Sequence, residues 1–374
     1  MDLVIAKKDL ERLVGRCQGV ADKKSAMPVL ANVLLNADGN TLRVAATDLY
    51  LSVSGQTAAE VVSAGSVAVP AKDLLDRVKA MPDGPIQVTA REGAQTVIKA
   101  VGSPRRYTLH GMPGSEFPQL PKPAPDAPSL ELPVTLLSRL MERTHFSIST
   151  DETRAHVNSA LFEWAGHRVR MVTTDGHRLS KMEATLEGTS ATATMLIPKK
   201  AIEELRRLTT GVDKDAPTVH ITQSGPNAFF GIGGMTFSVK LVDAQFPPYQ
   251  QVIPNMSDRS IRAPRAQLAD ALRAIKLAAS DRTGGVKLTV TQRALRITSE
   301  SPESGNGFDE VPIDYDGPEV TIGFNAQYFL DVLAAIGDDE VVLGVSGELD
   351  PAVIRPATES AAESYVSVIM PMRI

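Results

Sequence analysis

One pattern recurs three times along this chain, and an internal repeat constrains the fold more strongly than any single motif does. An apolar–arginine–apolar triplet recurs at intervals of about 127 residues, as Leu42–Val44, Val169–Met171 and Leu295–Ile297. An apolar residue placed just before a helical pattern recurs at almost the same interval, as Val69, Ile197 and Phe324. Because independent markers share one period, the sequence predicts three domains of one fold.

Each predicted domain divides again into two similar halves. A short strand at 2–5 precedes a helix whose apolar residues Leu10, Leu13, Val14 and Cys17 have the spacing of one buried face. Strands of alternating apolar and polar residues follow, and the second half begins with a strand at 66–69 that leads into another helix. Corresponding helices are predicted to begin near Val134, Lys199, Arg265 and Asn325. The sequence therefore predicts an α+β fold made of six βαβββ-type units, with helices on one face and antiparallel sheets on the other.

Proline clusters mark the predicted domain boundaries. Residues 111–128 carry six prolines and cannot continue a helix or a central strand, so they are predicted to form an extended connector. A weaker cluster, Pro247, Pro248 and Pro254, marks the second boundary. We expect three domains, at 1–125, 128–254 and 257–374.

Cysteine content and hydropathy indicate the cellular compartment. The single cysteine, Cys17, excludes internal disulfide bonds and is typical of a protein in a reducing cytoplasm. Its position on the apolar face of the first helix predicts a buried, structural thiol. No apolar run is long enough to cross a bilayer, and the N-terminal residues become charged too early for a signal peptide. We expect a cytoplasmic protein without a membrane partner.

The charge of the chain is segregated by structural element. The net charge is −5, yet five of the six predicted helices carry a net positive charge. Helices often carry Lys and Arg on a solvated face, but repetition in equivalent elements favours one basic surface that meets phosphate groups. No aromatic side chains accompany these helices, which favours sequence-independent contact with a duplex over single-strand stacking. The helical candidates for DNA contact are Lys72, Arg77, Lys200, Arg206 and Arg207.

Simple geometry is consistent with a ring of two chains. Twelve helices packed about 8–10 Å apart would enclose a hole of about 20–28 Å, wide enough for duplex DNA. One chain supplies half of these helices, so the prediction requires a head-to-tail pair related by a two-fold axis.

Two segments are candidates for binding or chemistry. In the segment 174–179, His177 lies two residues from Asp175, but no nucleophile motif surrounds the pair, so a polar turn that lines a binding surface is favoured over a hydrolase. The six histidines are scattered, and the sequence predicts no metal site, no cofactor and no catalytic residue. At the C-terminus, residues 365–369 are predicted to form a core strand. Beyond it, the flexible Met370 and Met372 suit a surface that accepts several peptides.

Several segments resemble, in order along the whole chain, the bacterial replicative clamp, the beta subunit of DNA polymerase III. They are Met27–Asn32, Thr174–Leu179, Lys240–Asp243, Phe246–Pro247 and Met370–Arg373. The resemblance implies three clamp domains per chain and a ring-shaped homodimer of six domains, with the helices inside and the sheets outside. It implies a non-catalytic processivity factor that encircles duplex DNA.

The resemblance also implies a pocket between the second and third domains for a short clamp-binding peptide. Its partners would be the replicative polymerase alpha subunit, the clamp-loader delta subunit, and translesion and mismatch-repair proteins. The implied pocket residues are Arg154, Val157, Thr174, Gly176, His177, Arg178, Leu179, Pro247, Val252, Val368, Met370, Pro371, Met372 and Arg373. From the sequence, the first repeat has no equivalent of this pocket.

Further sites are implied for DNA and for the second subunit. DNA contacts would include Lys24, Lys72 and Lys200, and the dimer contact would join Tyr107 and Leu109 to Leu277 and Ala278 of the other chain. Members of the family have a tyrosine pair that touches DNA where this chain has Ala155 and His156, and Asp151 stands at a nearby glutamine position. A DNA contact from that loop is therefore in doubt. Besides the clamp, a peptide-binding scaffold that never encloses DNA and a hydrolase using His177 and Asp175 remain open.

Overall fold

The helices lie where the repeat predicts them. The computed structural model describes residues 1–187, 192–210, 218–254, 260–280, 283–358 and 360–373. The helices in these ranges are α1 (Lys7–Gln18), α2 (Ala71–Lys79), α3 (Val134–Glu142), α4 (Lys199–Thr209), α5 (Arg265–Lys276) and α6 (Ala326–Ala335). In α1 the side chains of Leu10, Leu13, Val14 and Cys17 are buried, as their spacing predicts.

The strands also follow the repeat. In the first repeat they are β1 (Asp2–Ala6), β2 (Asn32–Asp38), β3 (Thr41–Thr47), β4 (Leu51–Ala58), β5 (Glu60–Ser63), β6 (Gly65–Pro70), β7 (Pro85–Ala90), β8 (Gln95–Ala100), β9 (Arg106–His110) and β10 (Met112–Pro113). In the second they are β11 (Ser129–Pro133), β12 (Ser159–Ala165), β13 (Arg168–Thr174), β14 (Arg178–Thr185), β15 (Thr192–Pro198), β16 (Thr218–Ser224), β17 (Asn227–Ile232) and β18 (Met235–Lys240). In the third they are β19 (Ser260–Pro264), β20 (Gly285–Thr291), β21 (Ala294–Ser301), β22 (Gly305–Pro312), β23 (Val320–Asn325), β24 (Glu340–Gly344), β25 (Ala352–Pro356) and β26 (Glu363–Ile369).

The two halves of every repeat exchange their first strands. In the first repeat β1 pairs with β7 of the second half, while β6 pairs with β2 of the first half. The same exchange joins β11 to β16 and β15 to β12, and then β19 to β24 and β23 to β20. The pairings are antiparallel, as the alternating pattern predicts. Backbone hydrogen bonds therefore connect the two halves of each repeat. The sequence predicts consecutive units and could not predict this exchange of strands.

The chain forms two compact units that divide the middle repeat. One consists of 1–135 and 203–241, and the other of 136–202 and 242–374. In the first unit, one sheet has the order β5-β1-β7-β8-β9, and a nine-stranded sheet has the order β10-β6-β2-β3-β4-β18-β17-β16-β11. In the second, an eight-stranded sheet has the order β15-β12-β13-β14-β26-β25-β24-β19, and a four-stranded sheet has the order β22-β21-β20-β23. Each large sheet therefore runs from one repeat into the next.

The cores lie between these sheets and the helices. In the first unit α1 packs on α2 and on β3 and β4, and in the second α5 packs on α6, β21 and β22. The Cys17 thiol is fully buried and lies 3.7 Å from the carbonyl oxygen of Val44. The predicted burial of this cysteine is confirmed, and burial raises the pKa of the thiol to about 12. No helix among the described residues is long and apolar enough to cross a membrane.

Candidate functional site

A tight turn connects β13 to β14 and presents Gly176 and His177 to solvent. The Thr174 hydroxyl donates to the Arg178 carbonyl at 2.7 Å and accepts the Gly176 N–H at 3.1 Å. The Asp175 carboxylate accepts the N–H groups of His177 and Arg178 at 2.9 and 3.0 Å. Gly176 has a φ of 95°, which a glycine adopts without strain. The polar turn predicted for this segment is confirmed.

Arg178 joins the second repeat to the third. Its guanidinium donates to Asp175 Oδ2 at 3.0 Å, to Asp331 Oδ2 on α6 at 2.6 Å and to the Phe146 carbonyl at 2.5 Å. The same group lies 4.4 Å from the ring centroid of Tyr328. The side chain of Arg178 is 11% exposed, and its guanidinium contacts all four of these groups. Arg178 therefore links the second and third repeats and is also part of the predicted pocket. We call this set of contacts the arginine clasp.

The chain end lies directly beside this turn. β26 pairs with β14, placing Val368 opposite Leu179 and Ile369 opposite Arg178. The Met370 N–H then donates to the His177 carbonyl at 2.8 Å, and the Met372 N–H donates to the Gly323 carbonyl at 2.8 Å. Met370 keeps 38% of its surface exposed, and Arg373 is also exposed. Two backbone bonds thus fix the tail while its first methionine still faces solvent.

Below the turn and the tail lies a buried apolar cluster. Its buried members are Leu161, Val172, Leu179, Leu196, Tyr249 and Val368. The segment 242–253 covers this cluster with Val242, Phe246 and Ile253. Between that segment and the sheet is a cavity of about 380 Å³, lined by Leu161, Glu163, Thr194, Leu196 and residues 244–250. Pro247 lines this cavity, and Val252 nearby in the sequence is 41% exposed.

The predicted pocket residues differ in burial. Val157, Thr174, Leu179 and Val368 are at most 9% exposed. The others are exposed or half-buried and are Arg154, Gly176, His177, Arg178, Pro247, Val252, Met370, Pro371, Met372 and Arg373. We call these accessible residues the tail surface. Arg154 contacts the 174–178 turn, because its guanidinium donates to the Asp175 carbonyl at 3.3 Å.

Some residues at this site were not among those predicted from the sequence. Tyr328 and Asp331 from α6 and the Phe146 carbonyl all contact Arg178. Burial raises the pKa of the Tyr328 phenol, and the nearby negative charge of Asp175 raises it further. One sequence signal for this contact existed, because Asp331 is the only charged residue of the apolar helix α6.

The site offers little for catalysis. The Asp175 carboxylate already accepts two backbone N–H groups and the Arg178 Nε–H, so it is not directed at the His177 ring. Within the described ranges, no group of three or more His, Cys, Asp or Glu residues is arranged to hold a metal ion.

The residues predicted to contact DNA differ in exposure, and two of the arginines make ion pairs. Lys24, Lys72 and Lys200 are exposed. Arg77 pairs with Asp73 of the same helix, with 3.6 Å between Nη1 and Oδ1. Arg207 donates to the carbonyls of Gly15, at 3.1 Å, and Arg16 at the end of α1, and it also pairs with Glu204. Arg207 therefore stabilises the contact of α4 with α1, whereas Arg206 is half-buried.

Of the residues predicted for the dimer contact, two lie on an edge strand, and the other two follow helix α5 next to a second edge strand. Tyr107 and Leu109 belong to β9, which is an edge strand. Ala278 packs near Gly307 of β22, another edge strand, because a Cβ at Gly307 would lie 3.1 Å from the Ala278 Cβ. Leu277 beside it is 83% exposed. Edge strands with unpaired backbone groups are the usual sites of strand addition.

Together these features define a class of protein: a threefold-repeat, sheet-rich chain with an exposed turn and chain end at a repeat junction. The comparisons then identify the family. The DNA polymerase III beta subunit N-terminal, central and C-terminal domain models match residues 1–121, 131–248 and 250–373. The beta sliding clamp of Pseudomonas aeruginosa is 31% identical and that of Escherichia coli K12 is 28% identical, each match covering 100% of both chains. A crystal structure of the P. aeruginosa clamp matches with a TM-score of 0.93 over 100% of both chains.

The chain belongs to the DNA polymerase III beta subunit family, the bacterial beta sliding clamps. It is a processivity factor and not an enzyme. The predicted fold class of three clamp domains with antiparallel sheets is confirmed.

Proposed function

We propose that two copies of this chain form a head-to-tail ring that encircles duplex DNA in the bacterial cytoplasm and tethers its partners through the tail surface. The polymerase alpha subunit, the clamp-loader delta subunit, and translesion and mismatch-repair proteins would each insert a short peptide there. The observation that carries the peptide proposal is the placement of exposed Met370 against the His177 turn, over a buried apolar cluster.

The internal symmetry of the sheets supports ring closure. The first repeat is joined to the second by β4 and β18, and the second is joined to the third by β14 and β26. In the third repeat β22 holds the place of β4 and β14, and in the first β9 holds the place of β18 and β26. Both are edge strands in this chain. Pairing of β22 with the β9 of a second chain would repeat the same junction twice and leave neither edge open.

The exposed lysines support contact with the DNA backbone. Lys24, Lys72 and Lys200 are exposed, which suits sequence-independent contact with phosphates. The loop at 151–156 is a poor candidate, because hydrogen bonds from Thr153 lower the pKa of the Asp151 carboxyl and keep it charged. A carboxylate at that point would repel phosphate. We therefore assign the contact to the lysines.

Retention on DNA tests the ring. After loading onto nicked circular DNA, the protein should stay bound at high salt and should be lost when that DNA is cut to a linear form. Equal retention on both forms would refute the ring. The scaffold alternative predicts that reversing Lys24, Lys72 and Lys200 to Glu changes nothing in this assay, whereas the clamp proposal predicts poor loading.

The tail surface is tested with a fluorescein-labelled clamp-binding peptide of the polymerase alpha subunit. Deletion of residues 370–374 should abolish binding in fluorescence anisotropy while the protein still sediments as a dimer. A monomer after the deletion would mean that the tail is structural. A clamp of P. aeruginosa has been crystallised bound to griselimycin, and competition between griselimycin and the peptide tests whether the two share a site on this chain. A His177→Ala variant, which would lose turnover in a hydrolase, should change only peptide affinity.

A further inference from the structure

The first repeat contains the same turn as the tail surface, and both turns begin with a Thr–Asp pair, Thr47–Asp48 and Thr174–Asp175. The Thr47 hydroxyl donates to the Leu51 carbonyl at 2.8 Å and accepts the Leu49 N–H at 3.0 Å. The Asp48 carboxylate accepts the N–H groups of Tyr50 and Leu51 at 2.9 and 2.6 Å. These four bonds are the counterparts of those in the 174–178 turn. The 47–51 turn therefore has the same hydrogen bonding as the 174–178 turn.

The strand that follows this turn is matched as well. β18 pairs with β4, as β26 pairs with β14. The Lys240 N–H donates to the Tyr50 carbonyl at 2.8 Å, which is also the distance from the Met370 N–H to the His177 carbonyl. Lys240 thus stands where Met370 stands at the other junction. The two junctions share one backbone and differ in the side chains that they present.

Three side chains that differ from their counterparts at the tail surface are exposed, and we call them the first-repeat surface. Leu49, in the place of Gly176, is 53% exposed, and Tyr50, in the place of His177, is 68% exposed. Lys240 is exposed, and its Nζ lies 6.0 Å from the Tyr50 ring centroid. Because Leu51 replaces Arg178 and is buried, this junction has no arginine clasp.

Leu49 occupies a backbone conformation that glycine would adopt more easily. Its φ is 76°, in the left-handed region where the Cβ of an L-residue is strained, whereas the equivalent Gly176 has a φ of 95°. The turn therefore holds a strained leucine whose side chain faces solvent rather than the core. Local strain of this kind is typical of positions kept for binding.

We propose that the first-repeat surface binds a short peptide segment with an apolar side chain next to a carboxylate. The apolar side chain would pack on Leu49 and Tyr50, and the carboxylate would pair with Lys240. This inference rests on the proposed function, since it assigns to the first repeat the class of ligand proposed for the tail surface. A duplex backbone fits less well, because a single cation between two exposed apolar side chains offers little to a row of phosphates.

Methyl NMR of the full-length protein tests the proposal, because Leu49 and Met370 are separate reporters of the two surfaces. The protein is labelled at leucine and methionine methyl groups, and the probe is a capped tetrapeptide of two glutamates followed by leucine and phenylalanine. We expect saturable shifts of the Leu49 methyl signals. Lys240→Glu should weaken this binding at least tenfold, and the matched reversal of another exposed strand lysine, Lys99→Glu, should leave it unchanged.

Leu49→Gly separates binding from folding, since glycine suits the left-handed backbone and the variant should stay folded. The same peptide, now carrying a label, is titrated with each variant, and Leu49→Gly and Tyr50→Ala should each lose binding at the first-repeat surface. In both variants the Met370 signal should still respond to the polymerase alpha peptide. Absence of Leu49 shifts, shifts unaffected by Lys240→Glu, or shifts produced by a duplex oligonucleotide in place of the peptide would each overturn the proposal. Failure of the alpha peptide to shift Met370 would instead refute the proposed function of the tail surface.

Discussion

Replacement of Arg178 by alanine should destabilise the junction of the second and third repeats more than any other change on the tail surface. The substitution removes the hydrogen bonds to Asp175, Asp331 and the Phe146 carbonyl, together with the stacking on Tyr328. It also removes the cation that Asp175 and Asp331 share. The side chains of these two residues are only 16% and 25% exposed, so solvent compensates poorly for the loss.

The size of the effect follows from these contacts. Removing one partner of a buried ion pair costs about 3–5 kcal/mol. Partial exposure of both carboxylates reduces the penalty, so we expect about 3–4 kcal/mol. For a cooperative unit of roughly 200 residues, at about 2–4 °C per kcal/mol, the unfolding temperature should fall by about 6–16 °C.

Thermal denaturation followed by circular dichroism measures this shift. Arg154→Ala is the matched control, because Arg154 is exposed and makes one 3.3 Å bond to the carbonyl of Asp175. Its unfolding temperature should stay within about 4 °C of the parent, as expected for a surface contact of under about 1 kcal/mol. Arg178→Lys should fall between the two, because an ammonium group cannot make the forked set of bonds. A loss in Arg178→Ala no larger than in Arg154→Ala would refute the clasp.

Further changes test other parts of the structure. Gly176→Ala should cost about 1–2 kcal/mol from its left-handed φ, whereas Leu49→Gly should cost nothing or stabilise; equal losses in urea denaturation would contradict the matched turns. Ser367→Val should cost about 1–3 kcal/mol, because its buried hydroxyl donates to the Leu179 carbonyl at 3.0 Å; an unchanged urea midpoint would mean that this carbonyl finds another donor. Burial raises the pKa of the Cys17 thiol to about 12, while an unfolded thiol ionises near pH 8.5. Its stabilising contribution is therefore complete below about pH 8.5 and is lost as the pH rises toward 12. Over pH 9–11 the unfolding temperature of Cys17→Ala should fall less steeply than that of the parent, and equal slopes would argue against a buried neutral thiol.

Much of the fold could be predicted because it is local or repeated. Helical periodicity placed α1 by its buried residues Leu10, Leu13, Val14 and Cys17, and the repeat transferred that placement to the remaining helices. The exchange of β1 and β6 between half-repeats could not be predicted, because periodicity shows which face of a strand is buried but not which strand lies beside it. For the same reason the sequence could not show that each large sheet continues into the next repeat.

The candidate site divides in the same way. The segments 174–179 and 370–373 could be selected from the sequence, because turn chemistry and apolar residues near a chain end are local signals. The contacts of Arg178 with Tyr328 and Asp331 lie some 150 residues away in the chain and come from the packing of α6. These residue assignments remain predictions until peptide binding is measured.

By itself, the sequence determined the repeat, its period, the basic character of the helices and the polar turn at Asp175, because each depends on residues close together in the chain. Only the tertiary structure decided which strands meet, that Arg178 closes a repeat junction, and that Leu49, Tyr50 and Lys240 share the backbone of the His177 turn. Backbone hydrogen bonds between distant strands build both junctions, and those bonds do not depend on side-chain identity. The two turns also share a Thr–Asp pair, Thr47–Asp48 and Thr174–Asp175, whose side chains make the same hydrogen bonds, and they differ in the exposed residues that follow it.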